Sequence, residues 1–218
     1  MTIEVDRGRD ALLVVDVQPD FMPGGSLAIA GGDEVVAPIA ALLRRGLART
    51  VVATQDWHPP DHVSFASRHP GKAPFDVIDL HGHEQVLWPP HCVQGSPGAA
   101  LHAGLPLEPV SAILRKGQDR LVDSYSAFRD NYGPSGDRPE TGLAGYLRAR
   151  GVRRVLVCGL ALDFCVAWTA LDAAAMELAV VVLRDLTRPV TASGGARALD
   201  EMARAGVIVA EDGELWAP

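Results

Sequence analysis

The stretch RVLVCGLALDFCVAWTALDAAAMELAVVVL, residues 154–183, decides the fold. It opens on a short apolar strand-like run, Arg154 to Cys158, and closes on a second, Leu178 to Leu183. Neither run alternates polar with apolar residues, so neither has a face for water; such strands belong to parallel sheets covered by helices on both sides. Between them Asp163 to Glu177 is rich in alanine, the best helix former, and reads as the crossover helix. The same alternation continues outward, through apolar runs at Ala11 to Val17, Thr50 to Gln55, Ser111 to Arg115 and Val207 to Val209.

The other helices are read from their ends. Asp33 can cap a helix running to Gly46 with Leu42 and Leu43 inward, and Pro38 delays its regular turns. Glu140 to Arg150 closes at Gly151, and Ser193 to Ala205 closes at Gly206. The class expected is α/β, with a Rossmann-like, doubly wound, three-layer α/β/α arrangement around a mostly parallel six-stranded sheet. Residues 1–218 are expected to form one domain. Its ligand site should lie beyond the carboxyl ends of the strands, near the switch in strand order. Residues 57–100, dominated by His, Pro and Gly, are too long for an idle connection and are expected to form a loop-rich metal and substrate region.

An apolar fraction of 48% and a charged fraction of 22% are those of an ordinary globular chain. A net charge of −7 disfavours nucleic acid and anionic membranes as partners and suits a small-molecule enzyme. Asp163, Asp172 and Glu177 interrupt the most apolar stretch, so no membrane span is expected. Residues 1–10 are charged where a secretory signal needs apolar residues. Cys92, Cys158 and Cys165 are odd in number and form no Cys-x-x-Cys pair, which points to a reducing cytoplasm. Nothing here fixes the oligomeric state, and a homo-oligomer stays open.

Asp16 ends the first strand run, Asp56 follows the second, Lys116 follows the third, and Cys165 lies just past the fourth. Singly, each reads as well as a loop cap, a solvated strand end or a small core residue. Together they bring a thiol, a carboxylate and an ammonium to one sheet edge. The helix start and Lys116 are expected to favour a thiolate at Cys165, and a desolvated Asp16 is expected to move a proton. Cys158 reads as core and Cys92 as structural. Asp56 and His58, two apart in an extended segment, share one side, and His91 is a third candidate metal ligand. Two histidines and a carboxylate suit zinc, iron or manganese, although His69, His81, His83 and His102 show histidine to be plentiful in this chain.

The segments VVDVQPDF (14–21), TQDWHP (54–59), WPPHCVQG (88–95), Lys116-Gly117, DSYSAF (123–128) and GLALDFCV (159–166) occur in one order along nearly the whole chain. In them the chain resembles the nicotinamidase/pyrazinamidase branch of the isochorismatase-like cysteine hydrolases. The resemblance implies hydrolysis of nicotinamide, and of pyrazinamide, within NAD salvage. It implies Cys165 as nucleophile, Asp16 as acid–base group and Lys116 as their support. It implies a divalent metal, zinc first, on Asp56, His58 and His91, binding the pyridine nitrogen, with His62 left open as a further ligand. It also implies a cis peptide before Ala161, an oxyanion hole from the N–H groups of Ala161 and Cys165, and a ring pocket of Phe21, Leu27, Trp88 and Tyr125. Phe128 reads as core. The family commonly has threonine at Leu162 and tyrosine or histidine at Phe164, departures that bear on substrate preference. A related cysteine amidase for another carboxamide, carbamoyl or ureido substrate is the alternative. Beside it stands a non-catalytic binding module, against which the joint presence of Asp16, Lys116 and Cys165 argues.

Overall fold

The computed structural model describes residues 2–217. The strands are β1 (Ile3–Glu4), β2 (Asp10–Val15), β3 (Thr50–Asp56), β4 (Val77–Leu80), β5 (His83–Val86), β6 (Ala112–Lys116), β7 (Arg154–Leu160), β8 (Ala179–Arg188), β9 (Ile208–Ala210) and β10 (Leu215–Trp216). The helices are α1 (Val36–Arg45), α2 (Leu143–Ala149), α3 (Ala167–Ala175) and α4 (Ala192–Arg204). Six strands form the central sheet in the order β6-β3-β2-β7-β8-β9, and every pairing in it is parallel. The chain winds one way from β2 through β3 to β6 and the other way from β7 through β8 to β9. The strand order therefore reverses between β2 and β7, and right-handed crossovers place helices on both faces. No helix among the described residues is long and apolar enough to cross a membrane.

Local chemistry explains the boundaries. A 3-10 turn, Gly32–Val35, precedes α1, so Pro38 falls in the first helical turn, where a missing N–H costs nothing. Val36, Ile39, Ala40, Leu42 and Leu43 face the core, and Gly46 closes the helix at φ 62°. The helix expected from Asp163 starts differently: Leu162–Val166 forms a wide π-turn, and regular α geometry begins only at Ala167. Strand β8 outlasts its apolar run, because Arg184 and Asp185 are exposed while still within the strand. The 57–100 region holds the antiparallel β4–β5 hairpin, and β1 pairs in parallel with β10 in a separate two-stranded sheet.

Gly159 sets the course of β7 at the point where the chain turns toward Cys165. It lies opposite Val15 at φ 110°, and a Cβ there would fall 2.0 Å from the Val15 carbonyl oxygen. A methyl group cannot be accommodated without parting β2 from β7. Gly159→Ala is therefore expected to destabilise the fold by more than about 2 kcal/mol, measured by urea denaturation. An unchanged midpoint and slope would refute this reading.

Candidate active site

The carboxyl ends of β2, β3, β6 and β7 converge. Asp16 follows β2 at φ 47°, a left-handed conformation uncommon outside glycine. Thr54 holds it there: the Asp16 N–H donates to the Thr54 hydroxyl (3.1 Å), and that hydroxyl donates to Asp16 Oδ1 (2.5 Å). Gln18 fixes the end of β3 from both sides, accepting from the Asp56 N–H (2.8 Å) and donating to the Asp56 carbonyl (2.9 Å). Lys116, 1% exposed, is the hub. Its Nζ lies 2.9 Å from Asp16 Oδ2, 2.9 Å from the Ser124 carbonyl and 3.3 Å from Cys165 Sγ, and it also donates to Asp56 Oδ1.

The electrostatics of this cluster follow from burial set against mutual attraction. Burial pushes the Asp16 carboxyl up, with Lys116 opposing and Asp56 adding to the rise. Burial also acts to raise Asp56, but Lys116 and His58 outweigh it and hold the carboxyl well below its ordinary range. Burial acts to lower Lys116, but the two carboxylates and the thiol hold it well above its ordinary value. The thiol differs from expectation. Burial drives the Cys165 thiol well up, Lys116 opposes this, and Asp16 and Asp56 reinforce it. Burial thus works against a thiolate at Cys165 in its π-turn, and Lys116 is the group that favours one.

Asp56, His58 and His91 present three ligand atoms to one point. Asp56 Oδ2 lies 3.7 Å from Nε2 of each histidine, close enough for a single ion to be shared. Their other nitrogens are occupied, His58 Nδ1 by the Gly117 carbonyl (3.0 Å) and His91 Nδ1 by the Pro89 carbonyl (2.9 Å). Those bonds take up the Nδ1–H groups and turn both Nε2 atoms toward Asp56, the orientation a metal requires. Gly117, at φ 66°, is packed against His58; a Cβ would fall 2.3 Å from that ring. His62 is not so disposed. Its nitrogens meet the Ser64 hydroxyl (2.8 Å) and the Val122 carbonyl (3.1 Å), and it stacks on His58 with centroids 4.2 Å apart. Burial, followed by His58, lowers it to about 4, so it stays neutral as a backing ring.

The thiol and the three ligands face one cavity of about 30 Å³. Phe21, Leu27, Trp88 and Tyr125 all lie on its wall, as does Ala161, and the Leu160–Ala161 peptide is cis. Asp16 and Lys116 stand behind Cys165 and do not line the cavity. Phe128, Cys158 and Cys92 are fully buried, and all three cysteines are free. The structure adds Ile29, Asp123, Phe164 and Val190 to the wall. Asp123, 2% exposed, accepts from Gln85 Nε2 (2.6 Å) and the Ser124 N–H (2.8 Å). Its place within DSYSAF was the only sequence signal for it, since no periodicity marks this irregular segment.

A thiol, a buried proton acceptor, a cation and a three-ligand cradle around one cavity define a hydrolase centre, and the chain belongs to the isochorismatase family, whose Isochorismatase domain matches residues 10–212. Within that family it is 49% identical over 199 residues, 90% of each chain, to the nicotinamidase of Acinetobacter baylyi. The PnC1 protein of L. infantum, solved in complex with nicotinate, superposes with a TM-score of 0.88 at 42% identity, covering 100% of both chains. The pyrazinamidase of Pyrococcus horikoshii, solved in complex with zinc, superposes with a TM-score of 0.74 at 35% identity, covering 93% of this chain and 99% of that one.

Proposed function

We propose that this chain hydrolyses nicotinamide to nicotinate and ammonia, with pyrazinamide as a second substrate, through a thioester on Cys165. One observation carries the reading: the Lys116 ammonium touches the Cys165 thiol and both buried carboxylates at once, behind a cavity whose wall holds Asp56, His58 and His91. Asp16 takes the thiol proton as sulfur attacks the amide carbon, and returns it to the nitrogen as the C–N bond breaks and ammonia leaves. Water then attacks the thioester carbon and gives a proton to Asp16; the C–S bond breaks, Asp16 returns that proton to the sulfur, and the acyl group leaves as nicotinate. Lys116 keeps Asp16 and the nascent thiolate in place. The N–H groups of Ala161 and Cys165 are the oxyanion donors.

The relative solved with zinc and the convergence of His58 Nε2 and His91 Nε2 on Asp56 Oδ2 support a divalent ion, zinc ahead of iron or manganese, on Asp56, His58 and His91. Composition supports it too: Asp16 and Asp56 both reach the one buried Lys116, and Asp123 is a further buried carboxylate on the cavity wall. When bound, the ion supplies a Lewis-acid seat for the pyridine nitrogen. Phe21, Leu27, Trp88 and Tyr125 enclose the ring. Residues 1–218 work as a single domain in the cytoplasm on this small molecule, in NAD salvage, with neither nucleic acid nor membrane as partner and with self-association left to measurement.

Ammonia release from nicotinamide, assayed together with metal content, tests this. Chelation is expected to abolish turnover and one equivalent of zinc to restore it; His91→Ala is expected to bind metal at least about tenfold more weakly. Full turnover of nicotinamide by protein shown to be metal-free would refute the ring-nitrogen seat, whereas no turnover of it by metal-loaded protein would favour a carbamoyl or ureido substrate instead.

A further inference from the structure

Phe164 stands between two cavities. It lines the small one in front of Cys165, and with Trp88 and Val190 it also lines a second cavity of about 560 Å³ on the outer side. Among the described residues those three are the only ones common to both linings. The wall is packed: the Phe164 ring meets Trp88 edge-on with centroids 4.8 Å apart and Tyr125 at 5.3 Å. Beyond it the larger cavity presents half-buried Trp168 and Leu171 and exposed Phe75; its Glu84, Arg197 and Glu201 are solvent-exposed, and its half-buried Asp163 is occupied by the Val190 and Thr191 N–H groups. The rings and Leu171 beside Phe164 suit an apolar, uncharged group.

An amide carbon carries three substituents in one plane. On the reading above, the oxygen goes to Ala161 and Cys165 and the ring to the Asp56–His58–His91 side. That leaves Ile29, Asp123, Phe164 and Val190 for the amide nitrogen, and of these Phe164 and Val190 back onto the outer cavity. We propose that Phe164 confines this enzyme to primary amides, and that the outer cavity is the space an apolar substituent on the amide nitrogen would occupy if the wall were removed. The chemistry is unaltered. The same acyl C–N bond breaks, and the Asp16 proton leaves on a primary amine in place of ammonia. The inference rests on the nicotinamide reading and adds to it the residue that sets the leaving group.

Nicotinate release from nicotinamide and from N-benzylnicotinamide, by wild type and by Phe164→Ala, tests it. The ratio of kcat/KM for the benzyl amide to that for nicotinamide is expected to rise at least about tenfold in the variant, the scale on which a pocket discriminates by size. Loss of packing alone would lower both substrates together and leave that ratio unchanged. An unchanged ratio in a folded variant overturns the proposal, as does a wild type that cleaves both amides comparably. If Phe164→Ala fails to fold, Phe164→Leu carries the same comparison. A wild type inert toward nicotinamide would refute the proposed function itself, an outcome distinct from an unchanged ratio.

Discussion

Cys165→Ala is expected to reduce ammonia release from nicotinamide by at least about 10⁴-fold, the scale on which hydrolases lose activity when the nucleophile of a concerted set is removed. The loss should be in chemistry and not in binding. Phe21, Leu27, Trp88 and Tyr125 lie on the cavity wall independently of the thiol, and the metal cradle of Asp56, His58 and His91 does not use the sulfur. Nicotinamide should therefore still bind to the variant, with a dissociation constant measurable by calorimetry, while single-turnover experiments accumulate no acyl-enzyme. Alanine is apolar and no larger than the buried Cys165, so the variant should also denature close to wild type. Turnover within a few-fold of wild type would end the thioester account.

Lys116→Met is expected to damage stability and activity together. The ammonium, 1% exposed, balances the buried carboxylates of Asp16 and Asp56, and methionine fills much of its volume without its charge. Breaking a buried ion pair from one side costs about 3–5 kcal/mol, because the partner is left charged in a poorly polarisable interior. Two partners are left here. Part of the cost is recovered as Asp16, already raised by burial, takes up a proton, and that proton occupies the oxygen which should accept one from the thiol. Urea denaturation of the metal-free variant should show the full loss, and adding Asp16→Asn should recover some stability without recovering turnover. A Lys116→Met variant with wild-type midpoint and rate would show that the cation is dispensable.

How much of this was legible in the sequence depends on the kind of signal. The six strands were, because Ala11 to Val15 and Val155 to Cys158 are apolar without alternation, as only a sheet covered on both faces demands. Asp16, Asp56, Lys116 and Cys165 were located by the same rule, since each ends or follows a strand. What depended on tertiary contact was hidden. Gln18 reads as an ordinary polar residue before a proline, yet it clamps the backbone of Asp56. Asp123 and Gln85 meet across 38 residues of chain, in segments with no helical or strand period. The upward push on the Cys165 thiol could not be foreseen, because it reflects full burial beside two carboxylates, with Lys116 opposing.

The grip of Gln18 on Asp56 reaches beyond geometry. A side-chain amide that engages both the N–H and the carbonyl of one residue holds that residue as firmly as a neighbouring strand would. With the histidine rings tethered to Gly117 and Pro89, the socket is finished before any ion arrives. On the reading proposed above, a divalent ion would then find its three donors already in place and need no refolding of the polypeptide.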